Sequence, residues 1–445
     1  MSITSLNIAK LLNQKLKREI FTTPSHNQRA YFSKNLEKFY QHDFSELDGY
    51  DNLSNPTSSI LMSQGRASEI FKTKQTFYIT QGSTTAMLAS MKALINPKDK
   101  VLVARNCHKC VYNGLILTGG VVDWFMPNES FEWGVYLQID PKKLEDTLSL
   151  NQYKAFIMTS PTYEGINSDI KKIASICHQY GVYLIVDEAH GSLYNFSSEL
   201  PKTAIEQGAD VSINSLHKTA GALNQTALLH VSNSITGVEI EDFQKAINLF
   251  HTTSPSYPLL ENIEECIAFL NSQKGKDEIK TLLDEIQKFK KDMSRYGVEF
   301  LSFENQDMTK IFLRKQGVSG FDLSDELFDE YNIEDELNNS IGCLYLTGIG
   351  TTKQKLEKLK NALIKAKTNP SFEFSKVDFQ PYPLVKMQPT EAYSKKFYYV
   401  NKKDALLKIS NTMILPYPPG IGILYPGEAI QKWHLDYLPN DIKVI

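Results

Sequence analysis

The chain has 445 residues, and its 48 lysines and arginines nearly balance its 51 aspartates and glutamates, which gives a formal net charge of −3. This balance leaves no basic field, so neither nucleic acid nor an anionic membrane surface is an expected partner. The length predicts two or three domains, and we expect a cytoplasmic protein because the sequence shows neither a run of the roughly 18 apolar residues that span a bilayer nor the apolar region of a signal peptide.

The first predicted elements lead into a large domain. Residues 8–20 carry apolar side chains at helical spacing and predict an amphipathic helix. Turn-forming residues at 48–56 mark the entry to the large domain. A helix is predicted at 64–71 and a strand at 76–80.

A candidate phosphate site follows that strand. Gly82, Ser83 and Thr84 stand at the start of a helical pattern that runs through residue 94. A helix N-terminus offers free amides and the positive end of the helix dipole to a phosphate. The simpler interpretation is that Ser83 and Thr84 only cap the helix, and both interpretations hold together.

Strands and helices alternate through the middle of the chain. Strands are predicted at 101–104, 121–125, 154–159, 182–187, 211–214 and 223–231, and helices at 141–150, 169–180 and 239–250. This alternation predicts right-handed βαβ units and a mostly parallel sheet. In such a sheet ligands bind beyond the carboxyl ends of the strands, so polar residues that follow the strands are candidates for one common site.

Two of these strands end in residues that suit covalent chemistry. Lys218 follows the strand at 211–214, and a desolvated lysine amine forms a Schiff base with a carbonyl; the alternative is a solvated lysine in a loop. Asp187 ends the strand at 182–187 and can pair with a protonated heterocyclic nitrogen, while Ala189 leaves room for a flat ring. Pyridoxal phosphate requires these partners: a lysine, an acid, and amides or hydroxyls for its phosphate.

Several segments together resemble the ornithine/lysine/arginine decarboxylase family of pyridoxal-phosphate enzymes, in a short form that lacks an extra N-terminal domain. They are residues 105–109 (Arg-Asn-Cys-His-Lys), 159–165 (Thr-Ser-Pro-Thr-Tyr-Glu-Gly), 186–191 (Val-Asp-Glu-Ala-His-Gly), 212–220 (Ser-Ile-Asn-Ser-Leu-His-Lys-Thr-Ala), 252–257 (Thr-Thr-Ser-Pro-Ser-Tyr) and 417–421 (Tyr-Pro-Pro-Gly-Ile). The resemblance covers about residues 21–428. It implies an α/β fold of type I, like that of aspartate aminotransferase, with a mostly parallel central sheet and one or more smaller α+β C-terminal domains.

The resemblance also implies a set of site residues. The residues implied to bind pyridoxal 5'-phosphate are Ser83, Thr84, His108, Thr162, Asp187, Ala189, His190, Ser215, His217, Lys218 and Thr253. Lys218, Asp187, His217 and His108 are the expected catalytic residues, with His108 stacked on the pyridine ring opposite Ala189. For His108 the alternative interpretation is an ordinary loop histidine.

The same resemblance bears on partners. Its segment with Thr253 reaches the phosphate of a neighbouring subunit, so a homodimer with shared active sites is expected, and a higher homo-oligomer stays open. The substrate it implies is a small basic amino acid. Residues 331–336 resemble a family segment in which Glu336 meets the distal cation of the substrate; the alternative is that this acid-rich stretch is ordinary surface.

The five cysteines do not form the pattern of a disulfide framework. Cys107 and Cys110 have the spacing of a metal or redox pair, but the sequence shows no second ligand pair. We interpret them as bracketing His108 and expect no metal.

These observations predict four parts: an N-terminal helical segment at 1–47, a large cofactor-binding α/β domain at 48–296, a small α/β domain at 297–367 and a C-terminal family domain at 368–445. Residues 262–296, charged and helical in period, are predicted to bridge the large and small domains. The expected reaction is decarboxylation of L-lysine, L-arginine or L-ornithine to CO2 and the corresponding amine. The alternatives are another fold type I reaction, namely transamination, β-elimination or retro-aldol cleavage, or a catalytically inactive regulator.

Overall fold

A computed structural model describes residues 6–15, 22–30, 33–46, 50–379, 381–416 and 420–445. The helices in these residues are α1 (Asn7–Lys15), α2 (Glu37–His42), α3 (Ser59–Phe71), α4 (Gly82–Leu94), α5 (Lys109–Thr118), α6 (Pro141–Leu150), α7 (Ile170–Gln179), α8 (Leu216–Thr219), α9 (Ile240–Phe250), α10 (Tyr257–Asn271), α11 (Gln273–Met293), α12 (Gly320–Tyr331), α13 (Lys353–Lys365) and α14 (Pro389–Ser394). The strands are β1 (Gln75–Ile79), β2 (Lys100–Ala104), β3 (Val121–Phe125), β4 (Glu129–Ser130), β5 (Val135–Tyr136), β6 (Ala155–Thr159), β7 (Tyr183–Asp187), β8 (Val211–Ser215), β9 (Ala227–Val231), β10 (Val298–Phe300), β11 (Lys310–Lys315), β12 (Leu337–Asn338), β13 (Cys343–Leu346), β14 (Tyr398–Asn401) and β15 (Asp441–Val444).

A seven-stranded sheet, in the order β1-β9-β8-β7-β6-β2-β3, forms the centre of the protein. The pairs from β8 through β3 are parallel, and β9 runs antiparallel to both of its neighbours, β8 and β1. The predicted mostly parallel sheet is therefore confirmed, with one reversed strand that the sequence pattern did not indicate.

Both faces of this sheet are covered by helices, as the continuous apolar strands predict. In β2, Val101 and Val103 pack into one core with residues of α4 and α5. Leu102 and Ala104 point the other way and pack into a second core with residues of α6 and α7. Because neighbouring side chains of a strand lie on opposite faces, the apolar residues 101–104 of β2 pack against both helical layers.

The topology gathers one set of loops at a single edge of the sheet. The parallel strands β2, β6, β7 and β8 have their carboxyl ends there, and β1 points in the same direction as β8 because both are antiparallel to β9. The start of β9 lies at the same edge for the same reason. The residues that follow β1, β2, β6, β7 and β8, and those that precede β9, therefore converge.

Two smaller units follow the central sheet. A four-stranded antiparallel sheet, β10-β11-β13-β12, packs against α11, α12 and α13. Near the C-terminus, β14 pairs with β15 over a small core of its own. The predicted domain limits at 47, 296 and 367 remain predictions, and residue 47 lies outside the described residues.

Some predicted elements differ from the observed ones, and others extend beyond the described residues. The strand predicted at 223–231 begins only at Ala227, because the preceding residues form a loop. The predicted bridge at 262–296, helical in period, is divided between α10 and α11, because Ser272 adopts an extended conformation, with ψ of 161°, and its side chain caps α11. The N-terminal helix is described from Asn7 to Lys15, and the remainder of the predicted span lies outside the described residues, as do Tyr417, Pro418 and Pro419 of the quoted motif.

In the part of the chain that the structure describes, every helix is too short or too polar to cross a lipid bilayer.

Candidate active site

A cavity of about 490 Å³ lies at the edge of the sheet where the loops converge. The predicted site residues that line it are Ser83, Thr84, His108, Thr162, Asp187, Ala189, His190, His217 and Lys218. Residues from the ends of strands far apart in sequence thus meet at one site, as the rule for parallel sheets predicts.

Lys218 lies in the short helix α8, directly after β8. Its Nζ atom is 2.9 Å from Nε2 of His190 and 5.8 Å from the centre of the Tyr163 ring. Burial lowers the pKa of the Lys218 amine below its ordinary value, and the Asp187 carboxylate opposes that shift. A lysine amine that loses its proton more readily is a better nucleophile towards a carbonyl.

His190 is the buried partner of Lys218. Burial, together with the positive charge of Lys218, holds the pKa of His190 well below its ordinary value, which favours the neutral ring in the hydrogen bond between its Nε2 atom and the amine. The backbone carbonyl of His190 accepts a hydrogen bond of 3.2 Å from Nζ of Lys310, a fully buried lysine that also pairs with Asp307 at 2.9 Å. A residue of the four-stranded sheet therefore fixes the turn that carries Ala189 and His190.

Asp187 ends β7 with its carboxylate facing the cavity. Its Oδ1 atom accepts a hydrogen bond of 3.1 Å from the backbone N–H of Ala189, which fixes the orientation of the side chain. Only 8% of Asp187 is exposed. A carboxylate held in this way can accept a hydrogen bond from a cationic ring nitrogen in the cavity.

The opposite end of the cavity has the character of an anion site. Gly82, with φ of +83°, begins α4, and its N–H donates to the carbonyl of Gln225 at 2.7 Å. The next amides of the first helical turn, at Ser83 and Thr84, lack intrahelical acceptors as in any helix. His217 donates from Nδ1 to the carbonyl of Thr226 at 3.2 Å, which leaves Nε2 as its second polar atom.

His108 caps α5 and stands beside the C-terminal domain. Its Nδ1 atom accepts a hydrogen bond of 3.3 Å from the backbone N–H of Cys110. His108 forms a β-bridge with Ile421, which also lines the cavity, and the N–H of Lys109 donates to the carbonyl of Gly420 at 3.0 Å. The C-terminal domain therefore supplies part of the cavity wall next to His108.

The cysteines near His108 do not have the features of a reactive pair. All five cysteines are buried and free. Burial raises the pKa of Cys107 to about 12 and raises that of Cys110 well above its ordinary value, which disfavours the thiolate. Among the described residues, no group of histidines, cysteines and carboxylates has the geometry to hold a metal ion.

The donor set of the cavity fits a flat phosphorylated ring. Asn106 and Thr159 line the cavity, and the Oδ1 atom of the first and the Oγ1 atom of the second are buried without a hydrogen-bond partner among the described residues. Buried polar atoms of this kind call for a partner, and the polar edge of a bound ring supplies one. With amides and hydroxyls at Ser83 and Thr84 and a carboxylate at Asp187, the cavity offers partners for the phosphate and the nitrogen of pyridoxal 5'-phosphate.

Three predicted site residues do not line the cavity of the single chain. Ser215 is the last residue of β8 and is fully buried, and its Oγ atom has no partner among the described residues. Thr253 is exposed, and the backbone N–H of Thr252 next to it donates to Oε1 of Gln81 at 3.1 Å. Glu336 is next to the lining residue Tyr163, whose hydroxyl donates a hydrogen bond of 2.6 Å to its Oε1 atom.

The cavity also contains residues to which the sequence analysis gave no role. They include Asn106, Tyr136, Thr159, Tyr163, Asn224, Gln225 and Ile421. Asn106 and Thr159 follow or end strands, so the rule that singled out Asp187 could have found them. No sequence signal indicated Gln225, a residue other than glycine with φ of +73°. Ile421 ends the family segment at 417–421, so the resemblance could have indicated it.

Known proteins of one family resemble this sequence over nearly its whole length. The sequence matches the protein family described as Orn/Lys/Arg decarboxylase, major domain, over residues 10–316, and the C-terminal domain of the same family over residues 373–442. It is 28% identical to an arginine decarboxylase of Bacillus anthracis, covering 95% of this chain and 90% of that protein. It is 27% identical to an arginine decarboxylase of Bacillus subtilis, covering 94% and 89%.

Solved structures share the fold at lower sequence identity. The constitutive lysine decarboxylase of Escherichia coli superposes with a TM-score of 0.82 at 19% identity, covering 97% of this chain and 77% of that one. A lysine decarboxylase of Francisella novicida gives a TM-score of 0.83 at 20% identity, covering 100% and 81%. An alanine–glyoxylate aminotransferase of Nostoc gives 0.55 at 17% identity, covering 69% and 85%. These likenesses confirm the fold expected from the sequence.

Proposed function

Because the chain belongs to the Orn/Lys/Arg decarboxylase family, we propose that it uses pyridoxal 5'-phosphate to remove the carboxylate of a basic L-amino acid as CO2. Family membership confirms the resemblance of the sequence motifs and the enzyme class, an amino-acid decarboxylase. The substrate is proposed to be arginine, lysine or ornithine. Arginine is the first candidate because the two Bacillus relatives above are named arginine decarboxylases.

The observation that carries this proposal is the meeting of Lys218 and Asp187 in one cavity. Asp187 ends β7, and Lys218 follows β8, the neighbouring parallel strand. The anion site at Ser83 and Thr84 lies in the same cavity. When bound there, pyridoxal phosphate supplies an electron-withdrawing ring that stabilises the charge left on the α-carbon as CO2 departs. The cavity therefore combines the nucleophile, the acid and the anion seat that this cofactor requires.

Each end of the cavity has a defined role in holding the cofactor. The first-turn amides and hydroxyls of Ser83 and Thr84, with Nε2 of His217, would bind the phosphate. Ser215 is proposed to join this set, because its Oγ atom is buried without a partner among the described residues. Asp187 would accept a hydrogen bond from the ring nitrogen and keep it protonated. Thr162 would donate its hydroxyl to the phenolic oxygen of the ring.

Two residues would hold the faces of the ring. His108 would lie on one side, fixed by its cap on α5 and by its bridge to Ile421. Ala189 would lie on the other, in the turn that Lys310 fixes through the carbonyl of His190. Both walls would exclude water from the ring, which strengthens electrostatic interactions inside the site.

The same residues can return a proton to the product. After CO2 leaves, the α-carbon must be protonated, and Lys218 and His217 are the candidates that line the cavity. Burial lowers the pKa of both side chains. A lowered pKa makes each protonated form a stronger acid and thus a better proton donor.

The remaining roles concern the substrate and a second subunit. Glu336 is proposed to meet the distal cation of the substrate, a role supported by its hydrogen bond to Tyr163 in the cavity wall. A homodimer with shared active sites is proposed, in which Thr253, exposed in the single chain, approaches the phosphate of the partner.

The test is a direct assay of products. Purified protein with pyridoxal phosphate is incubated separately with L-arginine, L-lysine and L-ornithine, and CO2 and amine are quantified. We expect the two products in equal amounts from at least one of the three, and none from Lys218→Ala. Keto acid without CO2 would support transamination, and no product from any of them would support an inactive regulator.

A further inference from the structure

Tyr163 and Glu336 join two separate parts of the protein at the wall of the cavity. Tyr163 follows β6 of the central sheet, and Glu336 directly precedes β12 of the four-stranded sheet. The hydroxyl of Tyr163 donates to Oε1 of Glu336 at 2.6 Å. The backbone N–H of Glu336 donates to the carbonyl of Leu344 at 2.8 Å, so the main chain of the glutamate is fixed to β13. One carboxylate oxygen is therefore held by Tyr163, while the main chain of the residue is held by β13.

This pair lies within reach of the reacting end of the site. The Tyr163 ring packs on His190 with 4.4 Å between ring centres, and its centre is 5.8 Å from Nζ of Lys218. The Glu336 carboxylate is one hydroxyl group beyond that ring. A basic side chain of about four to six bonds, each about 1.5 Å long, spans a distance of this size when extended.

The charge of Glu336 acts on Lys218 inside the cavity. Burial lowers the pKa of Lys218, and Glu336 is among the carboxylates whose charge opposes that shift. A carboxylate whose field reaches Lys218 also attracts a cation on the substrate, since both positive groups lie in the same poorly hydrated space.

We infer that Tyr163 is a positioning residue that determines specificity for a basic substrate: its hydroxyl binds Oε1 of Glu336 and keeps Oε2 available for the distal cation. This inference rests on the proposed function. Without the hydroxyl, the glutamate side chain regains rotamer freedom, and the cation must order it on binding. The hydroxyl thus acts on recognition of the side chain and leaves the chemistry at Lys218 unchanged.

The experiment compares Tyr163→Phe with Glu336→Gln, the double variant and a control. Tyr163→Phe keeps the ring against His190 and removes only the hydroxyl. Tyr331→Phe is the matched control, because it removes a phenol hydroxyl from the end of α12, outside the cavity. The probes are the basic amino acid that the wild-type enzyme decarboxylates and L-norleucine, which matches lysine in length and lacks the distal amine.

For Tyr163→Phe we expect KM for the basic substrate to rise roughly tenfold, which corresponds to about 1.4 kcal/mol, while kcat changes less than about twofold. The inhibition constant of L-norleucine and the cofactor absorbance should stay at wild-type values, as should all parameters of Tyr331→Phe. The double variant should have the KM of Glu336→Gln, because the two side chains act as one unit.

Equilibrium binding separates this inference from the proposed function. Calorimetric titration of L-lysine, L-arginine and L-norleucine into cofactor-loaded Lys218→Ala, with and without Tyr163→Phe, measures discrimination without turnover. If Lys218→Ala prefers the basic ligands to L-norleucine and the combination of Lys218→Ala with Tyr163→Phe does not, the inference is supported. The inference would be overturned by an unchanged preference, by an equal loss of norleucine binding, or by additive effects of Tyr163→Phe and Glu336→Gln on KM. Absence of CO2 from the wild-type enzyme would instead overturn the proposed function.

Discussion

The ion pair between Arg105 and Glu428 connects the cofactor cavity to the C-terminal domain. Nη1 and Nη2 of Arg105 donate to the two oxygens of Glu428 at 2.7 and 3.0 Å. Three residues later, His108 pairs with Ile421 at the cavity wall. We predict that Glu428→Gln both destabilises the protein and weakens binding of the cofactor.

The magnitude follows from the burial of the pair. Only 4% of the Arg105 side chain and 3% of the Glu428 side chain are exposed, and the guanidinium lies 4.6 Å from the centre of the Trp124 ring. Removal of one charge from a buried pair costs about 3–5 kcal/mol, because the other charge stays buried without compensation. Glutamine keeps the shape of the side chain, so the change isolates the charge.

A surface pair provides the control. Glu391 lies 3.7 Å from Lys395, and both side chains are about half exposed, at 53% and 46%. An exposed pair of this kind contributes less than about 1 kcal/mol. Glu391→Gln should therefore have nearly wild-type stability.

The assay combines urea unfolding with cofactor titration. Tryptophan fluorescence reports on the region directly, because Trp124 contacts Arg105. We expect a lower unfolding midpoint and a higher Kd for pyridoxal phosphate in Glu428→Gln, and neither change in Glu391→Gln. Equal unfolding midpoints for the two variants would show that the buried pair stabilises the protein no more than the exposed pair does.

Three further predictions concern the cavity itself. Thr84→Val should lower the affinity for pyridoxal phosphate roughly tenfold or more, since a hydrogen bond to a charged group contributes about 1.5–3 kcal/mol, and leave the affinity for unphosphorylated pyridoxal unchanged; absorbance titrations measure both. Asp187→Asn should lower kcat by about 10- to 1,000-fold, because a nearby carboxylate raises the pKa of a cationic ring nitrogen by about 1–3 units, and each unit is a tenfold change in the protonated fraction; an unchanged kcat would contradict the role of the acid. In the cofactor-free protein, burial lowers the pKa of Lys218 below the 10.5 of the unfolded chain. Between the folded and the unfolded pKa the unfolded state binds more protons, so the free energy of unfolding rises with pH over that range. Lys218→Met should remove this rise in thermal unfolding experiments, and a slope equal to that of the wild-type protein would be evidence against burial of a neutral amine.

Local elements of the fold could be predicted where the sequence carries their end signals. The helix predicted at 141–150 is observed as Pro141–Leu150, because Asp140 caps it and proline suits the first helical position. The break at Ser272 was missed, since the residues on both sides of it continue the helical pattern. The reversed direction of β9 was missed because a strand's apolar pattern is the same in either direction.

The site could be predicted where residues follow parallel strands. Lys218, Asp187 and Thr162 were found through that rule and through the family motifs. The contact of Arg105 with Glu428 joins positions 323 residues apart, and no local pattern indicates such a pair. Ser215 ends β8 with its Oγ atom buried and without a partner among the described residues, and its role at the phosphate stays a prediction.

The central claim is that Lys218 and the basic amino acid meet in a decarboxylase site. The most direct measurement follows CO2 from a carboxyl-labelled basic L-amino acid in the wild-type protein and in Lys218→Ala, both with pyridoxal phosphate. We expect the wild-type protein to release labelled CO2 in equal amount to the amine, and the variant to release none. Labelled keto acid in place of CO2, or full release by Lys218→Ala, would contradict it.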